Sequence, residues 1–222
     1  WKRRPAEVSR AINAVARDTR LAPLLDLEKV GVFGGSAGGH TALSFAGGAW
    51  SPARFRQHCE AHIADDFSSC VGFITRLHGN LLDGLKKWFA LAVIRHRFGD
   101  DTAYTHQDPR VQATVASVPF AADFDMASLA HPRIALGLVT AGMDVNQVPR
   151  FHSSAVLAAC QDRCTHVAHL PGASHGAMLS PMPPLHLLND VQTALLGDPP
   201  GFDRKLLPEV DARIVDFFAQ HL

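Results

Sequence analysis

Lys29-Val30-Gly31-Val32-Phe33-Gly34-Gly35-Ser36-Ala37-Gly38-Gly39-His40-Thr41-Ala42-Leu43 is the stretch whose reading decides the fold. Val30 to Phe33 is apolar throughout, which predicts a strand of a parallel sheet covered on both faces and set centrally rather than at an exposed edge. The small-residue run from Gly39 predicts a helix. Between them lies Gly-x-Ser-x-Gly, and a serine on a sharp turn from strand to helix carries its hydroxyl over the end of the sheet. Glycines at 34 and 38 remove side chains that would collide there. The helix would turn its positive N-terminal end to the site, with the Ala37 N–H as a donor to a developing oxyanion. The competing reading is a structural turn. A phosphate loop is excluded because no Gly-Lys-Ser/Thr follows, and a dinucleotide loop because no Gly-x-Gly-x-x-Gly is present.

A serine hydroxyl is a poor nucleophile until a base takes its proton, and strand-turn-helix sites of this kind order their residues as Ser, acid, His. The chain has 13 histidines. His175 is selected because Leu170-Pro171-Gly172-Ala173-Ser174-His175-Gly176 places it in a glycine-bounded loop just after an apolar strand. His78, His106 and His186 lack that setting, and His40, on the helix after Ser36, is a candidate to support the site. Asp144 is selected as the acid because Gly142-Met143-Asp144 directly follows the strand preceding the His175 loop. Asp108, Asp123 and Asp125 are its rivals, one strand earlier.

Working outward, Ala6 to Asp18 carries Val8, Ile12 and Val15 at helical spacing behind Pro5. Further apolar runs at Val111 to Val118, Ile134 to Val139 and Val167 to Leu170 predict strands, and Ser153 to Ala159 and Val210 to Phe218 predict helices. This alternation predicts an α/β domain with a parallel sheet. The segment from Ala49 to His106, with a helix over Leu81 to Arg97, fits the alternation poorly. It is read as a cap over the sheet, with Phe73, Trp88 and Phe89 as candidate walls of a substrate pocket and ordinary core packing as the competing role. At 222 residues the chain fits one catalytic domain. Lys and Arg number 21, as do Asp and Glu, so the overall charge favours neither nucleic acid nor an anionic membrane, and a small, neutral partner is expected. No apolar run is long enough to span a bilayer. Cys59 with Cys70 and Cys160 with Cys164 form two close pairs without a Cys-x-x-Cys, which predicts two local disulfides in an oxidising compartment, periplasmic or extracellular. Four reduced thiols in a cytosolic protein is the alternative.

Six ordered pieces resemble a known family: Arg4-Pro5-Ala6-Glu7-Val8, Lys29 to Gly39, Asp108-Pro109-Arg110-Val111, Gly142-Met143-Asp144 with Val148-Pro149, Ser174-His175-Gly176, and Gly201-Phe202-Asp203-Arg204 with Phe217-Phe218. Together they are similar to the dienelactone-hydrolase-like branch of the α/β-hydrolase superfamily, a group related to platelet-activating-factor acetylhydrolases. The resemblance implies the α/β-hydrolase fold and hydrolysis of carboxylic esters or lactones without metal or organic cofactor. Dienelactone hydrolases proper use a cysteine nucleophile, so the serine at position 36 leaves their substrate out of the inference. In that family several strands precede the helix resembling Ala6 to Asp18, and a loop among them supplies the second oxyanion donor. A further segment of the same polypeptide, or a second chain, is therefore expected beside Val30 to Phe33. An inactive binding protein on the same fold, or a peptidase or acyltransferase with the same triad, remains open.

Overall fold

The four apolar runs become the four strands of one sheet in the computed structural model, which describes residues 1–72 and 74–222. They are β1 (Val30–Gly35), β2 (Val111–Ser117), β3 (Ala135–Ala141) and β4 (Thr165–Leu170), all parallel and adjacent in chain order. Helices flank the sheet: α1 (Arg4–Ala16), α2 (Ala37–Phe45), α3 (Pro52–His62), α4 (Phe67–Val71), α5 (Leu82–Arg97), α6 (Ser153–Cys160), α7 (Asp190–Leu196) and α8 (Leu207–His221). The protein is thus an α/β structure with an all-parallel sheet.

Parallel neighbours require crossovers, and right-handed crossovers running in one direction stack their helices on one face. Ala42 and Leu43 of α2 and Val156 of α6 accordingly share a buried cluster with Ala116, Leu136 and Leu138. The opposite face is closed by α8, whose Leu207, Val210, Ile214 and Phe217 recur at helical spacing against Ala113, Val115, Val139 and Val167. At Gly137 a side chain would meet Val167 at 2.8 Å, so glycine permits this packing.

β1 corrects the expectation that both of its faces are covered. It is an edge strand whose residues alternate: Val30 and Val32 are half-buried against the Ile12 and Phe45 cluster, whereas Phe33 is 47% exposed. Ile12 of α1 and Phe45 of α2 pack on the Val30 and Val32 side, and β2 pairs along one edge only.

The segment between α2 and β2 is closed at its base by a two-way backbone bridge, Trp50 N–H to Tyr104 O (3.1 Å) and Tyr104 N–H to Trp50 O (2.8 Å). Beyond that bridge α3, α4 and α5 enclose a cluster of Phe55, Cys59, Ile63, Phe67, Cys70 and Ile94 that also takes in Phe120 and Ala122. Three helices, α3, α4 and α7, went unanticipated, and the signals of two of them are local caps. Ser51 accepts from Arg54 N–H before Pro52 in α3, and Asn189 and Gln192 form a capping box at α7. Cys59 is bonded to Cys70 and Cys160 to Cys164, each pair with Cα atoms 5.7 Å apart. Among the described residues no helix is long and apolar enough to cross a membrane.

Candidate active site

The turn between β1 and α2 holds Ser36 at φ 55° and ψ −114°, a region that a side chain with a Cβ occupies only when its surroundings enforce it. Three backbone hydrogen bonds enforce it here: Ser36 N–H donates to Ser117 O (3.0 Å), and Ser36 O accepts from His40 N–H (3.0 Å) and Phe120 N–H (3.2 Å). The glycine requirement differs from the symmetric one expected. A Cβ on Gly34 would sit 2.3 Å from the Gly38 carbonyl and one on Gly39 would sit 2.7 Å from Pro119 Cα, but a Cβ on Gly38 would meet nothing within 4 Å. Ala37 opens α2 immediately after the serine, so its N–H belongs to the helix end that has no partner within the helix.

Asp144 and His175 lie on the loops that follow β3 and β4, and backbone hydrogen bonds clasp those loops together. Gly142 N–H donates to Leu170 O and Met143 N–H to Ala173 O, both at 2.9 Å. Gly142 allows the approach, since a Cβ there would lie 2.5 Å from Pro171 O. Asp144 Oδ1 accepts from the backbone N–H groups of Asn146 and Gln147, each at 2.9 Å, while Oδ2 faces His175 Nδ1 at 2.7 Å. An ionised carboxylate only accepts, so Nδ1 carries the proton and Nε2 keeps a free lone pair, the form of imidazole that can act as a base. Both side chains are buried. The His175 loop is also anchored to the end of α7: Ser174 Oγ donates to Gly197 O at 2.6 Å, and Gly176 lies against the Leu196 backbone.

Ser36 and His175 line one cavity of about 340 Å³. Its other walls are mainly apolar, with Phe33, Val118, Met178, Leu179, Leu195 and Leu196. The hydroxyl's hydrogen-bond partner in this arrangement is Gln147, whose Nε2–H donates to Ser36 Oγ at 3.1 Å, and not the imidazole. Val118, at φ 38°, is a second strained residue on the same wall.

The rival acids are committed elsewhere. Asp123 faces His40 Nε2 at 3.1 Å, both fully buried, with the His40 ring packed among Trp1, Trp50 and Phe124. Asp108 forks onto Arg110, and Asp125 caps the turn at Ala127 and pairs with Arg54. His106 meets Ser9, and His78 and His186 are exposed. Of the expected pocket walls, Trp88 and Phe89 are 66% and 63% exposed on α5 and do not line the cavity at Ser36, and Phe73 lies outside the described residues. The walls come instead from the edge strand, the His175 loop and α7.

Sequence reasoning missed Gln147. An amide has no chemical signature of its own, and the available signal was its place three residues after Asp144. Also unanticipated is the buried cluster that ties α3 and α4 to the acid loop. Asp66 Oδ2 accepts from Nε2 of His58 (2.8 Å) and of His152 (3.0 Å), His152 Nδ1 accepts from Ala121 N–H, and Ser69 Oγ donates to Asn146 O (2.8 Å). Burial works against ionisation of Asp66, but the hydrogen bonds from His152 and His58 outweigh it and hold the carboxyl well below its ordinary range. No protein-family model and no curated protein matches this chain.

Proposed function

We propose that this chain carries the catalytic residues of a serine carboxylic-ester hydrolase of the α/β-hydrolase type, akin to the dienelactone-hydrolase-like branch. The observation that carries the reading is the buried Asp144–His175 pair opening into the same apolar cavity as a serine on a strained strand-to-helix turn. In this mechanism Ser36 Oγ attacks the ester carbonyl and His175 Nε2 takes the hydroxyl proton, then returns it to the leaving alcohol. Asp144 keeps the ring oriented and stabilises the imidazolium, and the Ala37 N–H supports the oxyanion. Water, activated by the same imidazole, then releases the acid. Apolar walls favour an ester with a hydrocarbon acyl group and no charge beside the scissile bond.

The reading includes a further strand beside β1, from the same polypeptide or a second chain. Supporting it, β1 has one hydrogen-bonded neighbour and presents Phe33 outward, the kind of edge that templates pairing. Two disulfides support a periplasmic or extracellular setting.

The rival is a binding protein on the same scaffold, favoured by the Gln147 amide rather than the imidazole holding the Ser36 hydroxyl. A fluorophosphonate probe separates the two. Labelling that Ser36→Ala and His175→Ala both abolish is the expected result, together with hydrolysis of p-nitrophenyl butyrate. A folded protein that takes no label rejects the enzyme reading.

A further inference from the structure

The chain is neutral overall, but α5 (Leu82–Arg97) presents exposed apolar and basic side chains side by side. Leu82, Leu85, Phe89 and Val93 recur at helical spacing along one side of that helix, with Leu81 and Trp88 beside them. This side faces away from the protein, since the buried residues of α5 are Asp83 and Ile94 on the opposite side. The outward side chains are 43% to 99% exposed, and Ile74, at 92%, extends the patch onto the preceding loop. An outward apolar stripe of this size is not what a solvated helix carries.

Residues 74–98 contain Arg76, Lys86, Lys87, Arg95 and Arg97 against one acid, Asp83. Asp83 is held by Lys86 and by the His78 and Gly79 N–H groups, and Glu60 of α3 pairs with Arg95. Arg76 and Arg97 stay exposed. Basic side chains therefore flank an apolar stripe bearing Trp88, the arrangement in which a helix sinks its apolar side to the acyl boundary while its cations reach anionic headgroups. A second copy docked symmetrically on the same face would bring the two basic margins against each other, which disfavours that occupant.

We propose that the outward face of α5 is a seat for an anionic lipid bilayer. An apolar groove at its margin, lined by Val71, Ile74, Phe89, Val93 and Phe98, shares no residue with the cavity at Ser36, so the proposal stands apart from the ester-hydrolase reading.

The test is flotation of the disulfide-intact chain with vesicles of equimolar phosphatidylglycerol and phosphatidylcholine, against pure phosphatidylcholine. The expected result is flotation with the anionic vesicles only, with a blue shift of tryptophan emission that Trp88→Phe removes. Arg76→Gln and Arg97→Gln should each weaken binding about fivefold, the equivalent of about 1 kcal/mol for a cation at an anionic surface. Leu85→Ser and Phe89→Ser should each weaken it about tenfold or more from lost apolar burial. Both side chains are mostly exposed, so circular dichroism should show the fold retained. No flotation, equal flotation with neutral vesicles, or unchanged flotation of the double variant that combines Leu85→Ser with Phe89→Ser overturns the proposal. So does a concentration-dependent dimer that the double variant converts to monomer in a chain that binds no vesicle, which would assign the face to a second copy.

Discussion

Asp144 has two jobs at two oxygens, and a pair of substitutions separates them. Oδ1 accepts two backbone N–H groups that shape the acid loop, and Oδ2 holds the imidazole. Asp144→Ala removes both, leaving three buried donors without acceptors. At about 1–3 kcal/mol for each unsatisfied donor, and with water reaching some of them, stability should fall by about 2–5 kcal/mol. Asp144→Asn keeps an oxygen for Asn146 and Gln147, so its stability should stay within about 1 kcal/mol of the parent. Its amide nitrogen, however, now faces Nδ1 and makes that atom the acceptor. The proton then sits on Nε2, the wrong nitrogen to receive one from Ser36. A misplaced tautomer of this kind costs about 10⁴-fold in kcat in a serine protease, or about 5.5 kcal/mol in the barrier. Urea unfolding together with kcat/KM on p-nitrophenyl butyrate reads both quantities. If the Asn variant hydrolyses within tenfold of the parent, the assignment of Asp144 fails. If it is as unstable as the Ala variant, the division of labour between the two oxygens fails.

Gln147→Ala frees the Ser36 hydroxyl from a hydrogen bond worth about 1 kcal/mol net, so fluorophosphonate labelling should speed up about fivefold; slower labelling would mean that the amide serves the attack. Gly34→Ala drives a Cβ into the Gly38 carbonyl and should cost about 1–3 kcal/mol in urea unfolding while abolishing labelling, whereas Gly38→Ala, which meets no atom within 4 Å, should keep both within a small margin. Asp66, with its carboxyl held below its ordinary 3.8, contributes stability that is present above that pH and lost as pH falls through the depressed value. Asp66→Asn should therefore be less stable than the parent at neutral pH, with the gap closing below pH 4 in unfolding measurements across a pH series.

The elbow was legible because its requirements are local: a strand, a turn crowded enough at Gly34 to exclude a Cβ, and a helix of small residues. Asp144 and His175 were legible for a related reason, since each directly follows an apolar run and the chain order of acid and base restricts the choice. Direction was not legible. Apolar character at Val30 to Phe33 says that the segment is extended, but which of its faces are covered depends on the helices that pack there, and which of its edges are paired depends on strand order. Trp88 and Phe89 failed as pocket walls for the same reason. Their periodicity marks one side of a helix, and only packing of Ile94 on the other side turns that stripe away from the cavity. The overall charge balance hid the basic margin of α5, because acidic residues elsewhere cancel it in the sum but not in space.

Strand order and chain order coincide in this sheet, and that coincidence organises the site. Moving across β1, β2, β3 and β4, the C-terminal ends supply in turn Ser36, the strained Val118, Asp144 and His175. Parallel strands place all four ends on one side, where the crevice of an open α/β sheet lies. Each residue is thus located by its own strand and by the hydrogen bonds to the next, such as Ser36 N–H to Ser117 O and Val118 N–H to Val139 O. The connections need only return the chain to the far end of the sheet. That is why the long segment between α2 and β2 can be closed at its base by Trp50 and Tyr104 and stapled by its own disulfide while contributing no wall to the cavity. Its influence on the site runs through Ser69 and Asp66 to the loop bearing Asp144, so Asp144, rather than Ser36, is the group that changes in α3 and α4 should reach first.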